Sequence, residues 1–95
     1  MSLIDNILAN CDFGEVEERI SSSFKRYRKR MKLSRQQLAE ESGVSYGSLR
    51  RFEETGKISL EGLLKLARRM DRLDPLIRLF EEEEFSTLDE LRRSR

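Results

Sequence analysis

Hydrophobic positions recur at helical spacing along most of this chain. Between residues 15 and 32 they stand four, four, three and four residues apart, at Val16, Ile20, Phe24, Tyr27 and Met31. Side chains at such steps share one face of an α-helix. Acidic residues lead this segment and basic residues end it, which complements the helix dipole. The pattern therefore predicts a helix over about residues 15–32, preceded by a break at residues 12–14.

Two shorter helical patterns occupy residues 33–54. Ser34 stands three residues before Gln37, the arrangement of a capping box, and Gly43 ends that helix because glycine adopts the left-handed conformation without steric penalty. Ser45 is the N-cap of the next helix, which runs to about Glu54. The apolar residues that pin the two helices together are Leu38, Ala39, Val44, Leu49 and Phe52. The tight turn between them predicts a helix-turn-helix.

Two further helices are predicted downstream. Ser59 caps one that runs to about Met70, and Asp74 followed by Pro75 starts another that runs to about Glu83. The residues expected to be buried are Leu60, Leu63, Leu64, Leu66, Ala67 and Met70 in the first, and Leu76, Ile77 and either Leu79 or Phe80 in the second. Glutamates 81–84 stand where the helix dipole disfavours them. They indicate fraying, a face that repels DNA, or a surface that meets a basic partner.

Both ends of the chain carry short amphipathic patterns. Leu3, Ile4, Ile7, Leu8 and Cys11 share one helical face, and Phe85, Leu88 and Leu91 do so near the other end. We expect an N-terminal helical extension over residues 1–14, a central domain over residues 15–84, and a short helix with a loose tail over residues 85–95. The N-terminal helix packs on the domain or contributes to a dimer contact.

The central stretch resembles the Cro/CI-like (lambda-repressor-like, XRE) DNA-binding family. The matching positions are Leu38-Ala39, Gly43-Val44-Ser45, Leu49, Phe52-Glu53, Gly56-Lys57, Ser59-Leu60-Glu61 and Leu63 to Ala67. The resemblance covers roughly residues 20–80 and implies an all-α, five-helix domain in which Arg28 pairs with Glu53. The chain departs from the family pattern in three places: Arg35 replaces a glutamine, the usual glycine near Lys32 is missing, and the loop before Lys57 is one residue longer.

Composition narrows the function further. The net charge is +1, yet residues 19–35 contain eight basic residues and no acid, so a nearly neutral total hides a polarised surface. A lone cysteine and the absence of histidine argue against a disulfide within the chain and against zinc. We expect no cofactor, no membrane span and a cytoplasmic location. No phosphate-binding loop and no nucleophile–base pair is visible, so we do not expect an enzyme.

In this family the helix that starts at Ser45 enters the major groove of double-stranded DNA. The resemblance makes Tyr46, Gly47, Arg50 and Arg51 the candidates for contact with base edges, with Ser48 also facing outward. Arginine suits this task because it donates two hydrogen bonds to guanine. The candidates for contact with the phosphate backbone are Ser34, Arg35, Ser45 and Lys57, with Arg28, Lys29 and Lys32 adding to the positive field.

The leading interpretation is a sequence-specific transcriptional regulator, a repressor that binds an operator as a homodimer. Two-fold symmetry would place its half-sites about one helical turn apart. One alternative is an antitoxin-like regulator that also binds a toxin-like protein partner. Another is a helical adaptor that does not bind DNA, which predicts no salt-sensitive DNA retention.

Overall fold

The computed structural model describes residues 12–81, and this part of the chain is entirely helical. Its helices are α1 (Phe13–Arg30), α2 (Arg35–Ser42), α3 (Tyr46–Thr55), α4 (Leu60–Arg69) and α5 (Leu73–Ile77). The predicted all-α, five-helix architecture is confirmed. None of the described helices is both long and apolar enough to cross a membrane. Residues 1–11 of the predicted N-terminal extension and the predicted short helix and tail at residues 85–95 lie outside the described residues.

The core lies where α1, α2, α3 and α4 meet. Leu38, Leu49, Leu66 and Met70 are its fully buried large side chains. Phe24 of α1 packs edge to face on Phe52 of α3, with the ring centroids 5.0 Å apart. Helix α3 therefore rests on α1 from one side and on α2 from another, which fixes the direction in which its outer face points.

Side-chain caps start four of the five helices. Ser34, Ser45 and Ser59 accept hydrogen bonds from backbone N–H groups three residues on, at 3.0, 3.1 and 3.0 Å, as predicted. The capping box at Ser34 is only half formed, because the Gln37 side chain donates to Glu41 at 3.3 Å instead. Residues 12–14 begin α1 rather than break the chain. Asp12 accepts from the Glu15 N–H at 3.0 Å and extends the helix back to Phe13.

Glycines end α2 and α3 in the left-handed conformation. Gly43 has φ 87° and Gly56 has φ 81°, and each N–H donates to a carbonyl four residues earlier. Gly56 also lies against α1. A Cβ atom there would stand 2.9 Å from the backbone carbon and oxygen of Glu17. Only glycine fits this approach, which holds the loop after α3 against α1.

At the ends of α1 and α4, Lys32 and Asp71 adopt the left-handed conformation that Gly43 and Gly56 adopt after α2 and α3. Lys32 has φ 62° and Asp71 has φ 65°. The Lys32 N–H donates to Lys29 O at 2.9 Å, and the Leu33 N–H donates to Arg28 O at 3.2 Å. This pair of bonds is a Schellman motif, which normally has glycine at the left-handed position. The turn keeps regular geometry without the family's glycine, at the cost of a strained lysine.

The prediction for α5 was wrong in its bounds and its burial. The helix begins at Leu73 without a side-chain cap and ends at Ile77. Asp74 and Pro75 are its second and third residues, where the missing proline N–H leaves no helical bond unmade. Ile77, Leu79 and Phe80 are 56%, 55% and 89% exposed. A core of this size is filled before the chain reaches them.

Ile20 and Leu60 were also predicted to face the core, and both are exposed. Ile20 is 51% exposed and Leu60 is 69% exposed. Ile20 lies on the half of α1 that precedes its contact with the core, and Leu60 is the first residue of α4. Helical periodicity identifies a face but does not show how far along the helix a neighbour covers it.

A buried ion cluster joins three elements of the fold. Arg28 of α1 donates to both carboxylate oxygens of Glu53 in α3, through Nε at 2.6 Å and Nη2 at 3.1 Å. Its Nη1 donates to the Leu33 carbonyl at 2.7 Å. Arg35, the first residue of α2, adds a bond from Nε to Glu53 at 2.8 Å. The Arg28–Glu53 pair implied by the family resemblance is confirmed.

The Glu53 side chain is fully buried, yet it stays charged. Burial would raise the pKa of Glu53, but the hydrogen bonds from Arg28 and Arg35 outweigh that effect. The pKa of this carboxyl therefore lies below its usual range. A carboxylate held by two guanidinium groups in a dry site is a directional link, because the planar forks match its geometry.

Replacement of Lys32 by glycine should stabilise the domain. Glycine removes the cost of about 1–2 kcal/mol that a side chain pays in the left-handed conformation, so we expect Lys32→Gly to raise the free energy of unfolding by about 1 kcal/mol. Lys29→Gly is the matched control. It removes the same charge within α1 and should lower the free energy of unfolding by about 1 kcal/mol. Urea unfolding measures both, and equal losses in the two variants would refute the assigned strain.

Loss of the Glu53 carboxylate should lower the free energy of unfolding and reduce its dependence on pH. Glu53→Gln leaves two arginines without their partner, at a cost of about 3–5 kcal/mol. Glu54→Gln removes an exposed glutamate and should cost below about 1 kcal/mol.

The pH dependence follows from the lowered pKa of Glu53. Its ion pairs stabilise the fold above about pH 4.3, the ordinary glutamate value, and this contribution is lost as the pH falls through the lower folded-state pKa. The difference in unfolding free energy between wild type and Glu53→Gln should therefore decrease as the pH falls below about 4.3. A gap that stays constant down to pH 2 would contradict the cluster's role.

Candidate nucleic-acid interface

Helix α3 divides into a buried face and an exposed face. Leu49, Phe52 and Glu53 point inward and are at most 8% exposed. The residues that point outward are Tyr46, Gly47, Ser48, Arg50 and Arg51. A ten-residue helix is about 15 Å long, a size that the major groove of DNA admits. The predicted outward residues are thus brought together on one face.

Gly47 lies at the middle of this exposed face. Nothing in the protein stands within 4 Å of the position that a Cβ atom would take there, and its backbone is not in the left-handed region. Neither packing nor backbone conformation requires a glycine. Because residue 47 has no side chain, the backbone of α3 is accessible there from outside the protein.

Arg50 and Arg51 flank Gly47 but differ in their partners. Arg50 donates through Nε to Glu54 at 2.9 Å, one turn along the helix, and its side chain is 58% exposed. The hydrogen bond to Glu54 raises the pKa of Arg50. Arg51 makes no salt bridge within residues 12–81. Arg51 is therefore the readier donor to an external acceptor, while Arg50 must share or leave Glu54.

A cationic cleft lies on one side of α3, and we call it the α1–α2 cleft. It has a volume of about 500 Å³ and is lined by Lys25, Arg28, Lys29, Ser34, Arg35, Gln36 and Tyr46. Arg35 is tethered by Glu53, whose hydrogen bond raises the Arg35 pKa against the opposing effect of burial, with Tyr46 adding to the rise. Its side chain remains 25% exposed. The guanidinium is therefore held in place at the cleft edge beside the start of α3.

The α3–α4 cleft lies on the other side of α3. Its volume is about 340 Å³, and its polar lining comes from Ser45, Ser48, Arg51, Lys57, Ser59, Glu61 and Lys65. Lys57 donates to Glu17 of α1 at 3.0 Å while its side chain stays 58% exposed. The N-terminus of α4 also opens here, where free backbone N–H groups favour an anion.

The phosphate candidates fall into three structural classes. Ser34 and Ser45 are helix caps at the edges of the two clefts, with their hydroxyls already accepting from backbone N–H groups. Arg35 and Lys57 line one cleft each while bonded to a glutamate. Arg28 is only 6% exposed and all three of its nitrogens donate within the protein. We therefore assign Arg28 to the internal ion cluster and not to the contact surface.

The candidate set from the sequence omitted Lys25, Gln36 and Lys65, which line the clefts. Lys25 and Lys29 stand four residues apart on α1, so helical spacing could have grouped them. Lys65 carried no such signal. It reaches the α3–α4 cleft only because α4 packs on α2, and Glu61 holds it at 3.5 Å.

Comparison with protein families matches residues 24–76 to the family described as helix-turn-helix. The match spans more than half of the 95 residues and contains α2, α3 and α4 in full. A search of curated proteins and a search of solved structures gave no match.

Helix α2, the turn at Gly43 and helix α3 form the motif itself, and the family match covers the elements that hold α3 in place. Proteins of this family bind DNA and regulate transcription. The chain belongs to the Cro/CI-like (XRE) helix-turn-helix family and is a DNA-binding transcriptional regulator.

Proposed function

We propose that the protein represses transcription by binding an operator as a homodimer, with α3 of each copy in the major groove. One observation carries this proposal: the exposed face of α3 lies between two cationic clefts. A duplex seated on α3 presents bases to that face and a phosphate backbone to each flank. The arrangement thus separates the groups that read sequence from the groups that set position.

Base recognition is assigned to Tyr46, Gly47, Arg50 and Arg51. Arg51 donates to a guanine, for which a bidentate pair gives about 1–3 kcal/mol of discrimination. Tyr46, which is 46% exposed, packs on a thymine methyl group or bonds a phosphate. Ser48 accepts a hydrogen bond from the Ser45 hydroxyl at 3.0 Å and lies at the edge of this surface.

Phosphate contacts are assigned to the clefts. Lys25, Lys29 and Arg35 serve one strand from the α1–α2 cleft, and Lys57 and Lys65 serve the other from the α3–α4 cleft. Each neutralised phosphate releases counterions, so affinity should fall steeply with salt. The internal bonds of Arg35 and Lys57 preorganise both side chains, which reduces the entropy lost on binding.

A homodimer supplies the remaining affinity and specificity. One domain reads only a few base pairs, whereas two domains related by a two-fold axis read two half-sites about one helical turn apart. Repression then needs no further activity, because a dimer seated on a promoter occludes it. The antitoxin-like and adaptor alternatives require a different protein partner, and no observation within residues 12–81 favours one.

Removal of Arg50 or Arg51 should reduce sequence selectivity more than it reduces overall DNA binding. A randomised duplex pool retained at two salt concentrations should yield a motif with two symmetric half-sites for the wild type. Arg51→Ala should weaken binding to that motif by about 5–150-fold, the equivalent of 1–3 kcal/mol, and Arg50→Ala should act in the same direction. Arg19→Ala, an exposed arginine of α1 outside both clefts, should change affinity below about twofold.

The salt dependence separates the two kinds of contact. Lys29→Ala should weaken binding to all sequences alike and reduce the salt slope by about one unit, whereas Arg51→Ala should relax the motif. Retention of an unchanged motif by Arg50→Ala and Arg51→Ala proteins would refute the assignment of α3. Absence of any salt-sensitive DNA retention would favour the adaptor alternative.

Gly47→Ala should change stability and DNA binding in opposite directions. Alanine is the better helix former by about 1 kcal/mol, and its methyl group meets nothing in the protein, so the free energy of unfolding should rise. Affinity for the operator should fall by about tenfold or more if DNA approaches the α3 backbone. Gly14→Ala, a glycine-to-alanine change in the first turn of α1 outside both clefts, is the control and should leave DNA affinity unchanged. Undiminished affinity in Gly47→Ala would contradict the close approach.

A further inference from the structure

A third cleft lies along α1 and includes Arg72 from the segment after α4, and we call it the arginine cleft. Its volume is about 410 Å³. Ile20, Phe24 and Tyr27 form its apolar floor, and Arg26, Arg30 and Arg72 form its rim. No residue of α2 or α3 lines it. Bound DNA seated on α3 therefore does not account for this cleft.

The rim arginines have no carboxylate partner within residues 12–81. The Arg72 guanidinium lies over the Tyr27 ring, 4.7 Å from its centroid, and Arg26 donates to the hydroxyl of Ser23 at 3.2 Å. Three guanidinium groups around an apolar floor match a ligand that combines carboxylates with a large apolar side chain.

The chain itself carries such a segment. Phe80 is 89% exposed and Leu79 is 55% exposed, in the turn that follows α5. The sequence continues from Phe80 with four glutamates, residues 81–84, and then Phe85. We call residues 80–85 the acidic–aromatic segment. Its composition is complementary to the arginine cleft in both respects, since it has carboxylates for the rim and aromatic rings for the floor.

We propose that the acidic–aromatic segment of one copy docks in the arginine cleft of a second copy, and that this contact builds the dimer. The inference rests on the homodimer of the proposed function and names its surface. The contact is isologous: each copy gives its segment to the partner's cleft and receives the partner's segment in its own. Two such contacts cover apolar surface that a monomer leaves in water.

Charge explains why the occupant is a second copy of this chain. Arginine forks bind carboxylates in a bidentate manner, and opposite potentials specify which surfaces meet. The aromatic ring of Phe80 then fills the floor between the arginines.

A charge-swap experiment tests the docking. The cleft variant carries Arg30→Glu and Arg72→Glu, and the segment variant carries Glu81→Lys, Glu82→Lys and Glu83→Lys. Sedimentation equilibrium should show that each variant alone dimerises at least about tenfold more weakly than wild type. An equimolar mixture should recover a dimer, because the swapped cleft meets the swapped segment while the native cleft meets the native segment.

Controls separate specific docking from a general charge effect. Arg19→Glu with Arg68→Glu makes the same change in charge on exposed arginines outside the cleft and should leave the dimer constant within about twofold. Circular dichroism confirms that each variant is folded. Raised salt should weaken the wild-type dimer, because the rim contacts are screened.

Each outcome has a distinct meaning. A wild-type dimer that both variants retain would overturn the docking and leave the homodimer intact. Monomeric wild type at every concentration tested would overturn the homodimer itself. A third result would also overturn the proposal. If a chain that carries both the cleft and the segment substitutions dimerises like wild type, while the mixture of the two variants does not, the segment folds onto the cleft of its own chain.

Discussion

The buried carboxylate of Glu53 is the constraint on which the DNA-facing surface depends. It receives Arg28 from α1 and Arg35 from the first turn of α2, and Arg28 also holds the Leu33 carbonyl between those helices. Helix α3 therefore cannot rotate about its axis without breaking charge-assisted bonds in a dry site. An apolar core alone would tolerate such a rotation more easily, because dispersion contacts are not directional. The ion cluster therefore fixes the rotation of α3 about its axis. Base recognition requires this, because the exposed side chains of α3 must face the groove.

Orientation of α3 also fixes what flanks it. Arg35 has one nitrogen on Glu53 and stands at the edge of the α1–α2 cleft, so the residue that anchors α3 also offers charge beside it. On the other side, Gly56 lies against the Glu17 backbone while Lys57 bonds the Glu17 side chain. A single residue of α1 thus positions the loop that borders the α3–α4 cleft. The same contacts that hold the fold together place the cations around the recognition surface.

The sequence was sufficient to predict the helix-turn-helix, because its signals are local. Ser34, Gly43 and Ser45 act within one helical turn, and their caps formed as expected. Misplaced features depended on distant parts of the chain. The periodic pattern at Ile20 and Phe80 indicated apolar faces correctly but could not show that the core ends short of them. Lys65 joined the candidate site only through the packing of α4.

The charged residues have two structural roles, internal ion pairing and the display of positive surfaces. The net charge of +1 does not reveal this division. Glu17, Glu41, Glu53 and Glu54 each hold a cation within residues 12–81, and the bond from Arg69 lowers the pKa of Glu41. Carboxylates paired in this way stiffen the frame but cannot repel an approaching phosphate as free charges would. Six cations without a salt bridge in that range lie on two surfaces: Lys25, Lys29 and Arg51 on the flanks of α3, and Arg26, Arg30 and Arg72 on the rim of the arginine cleft. A nearly neutral protein can therefore present two strongly positive faces, one suited to DNA and one suited to glutamates 81–84.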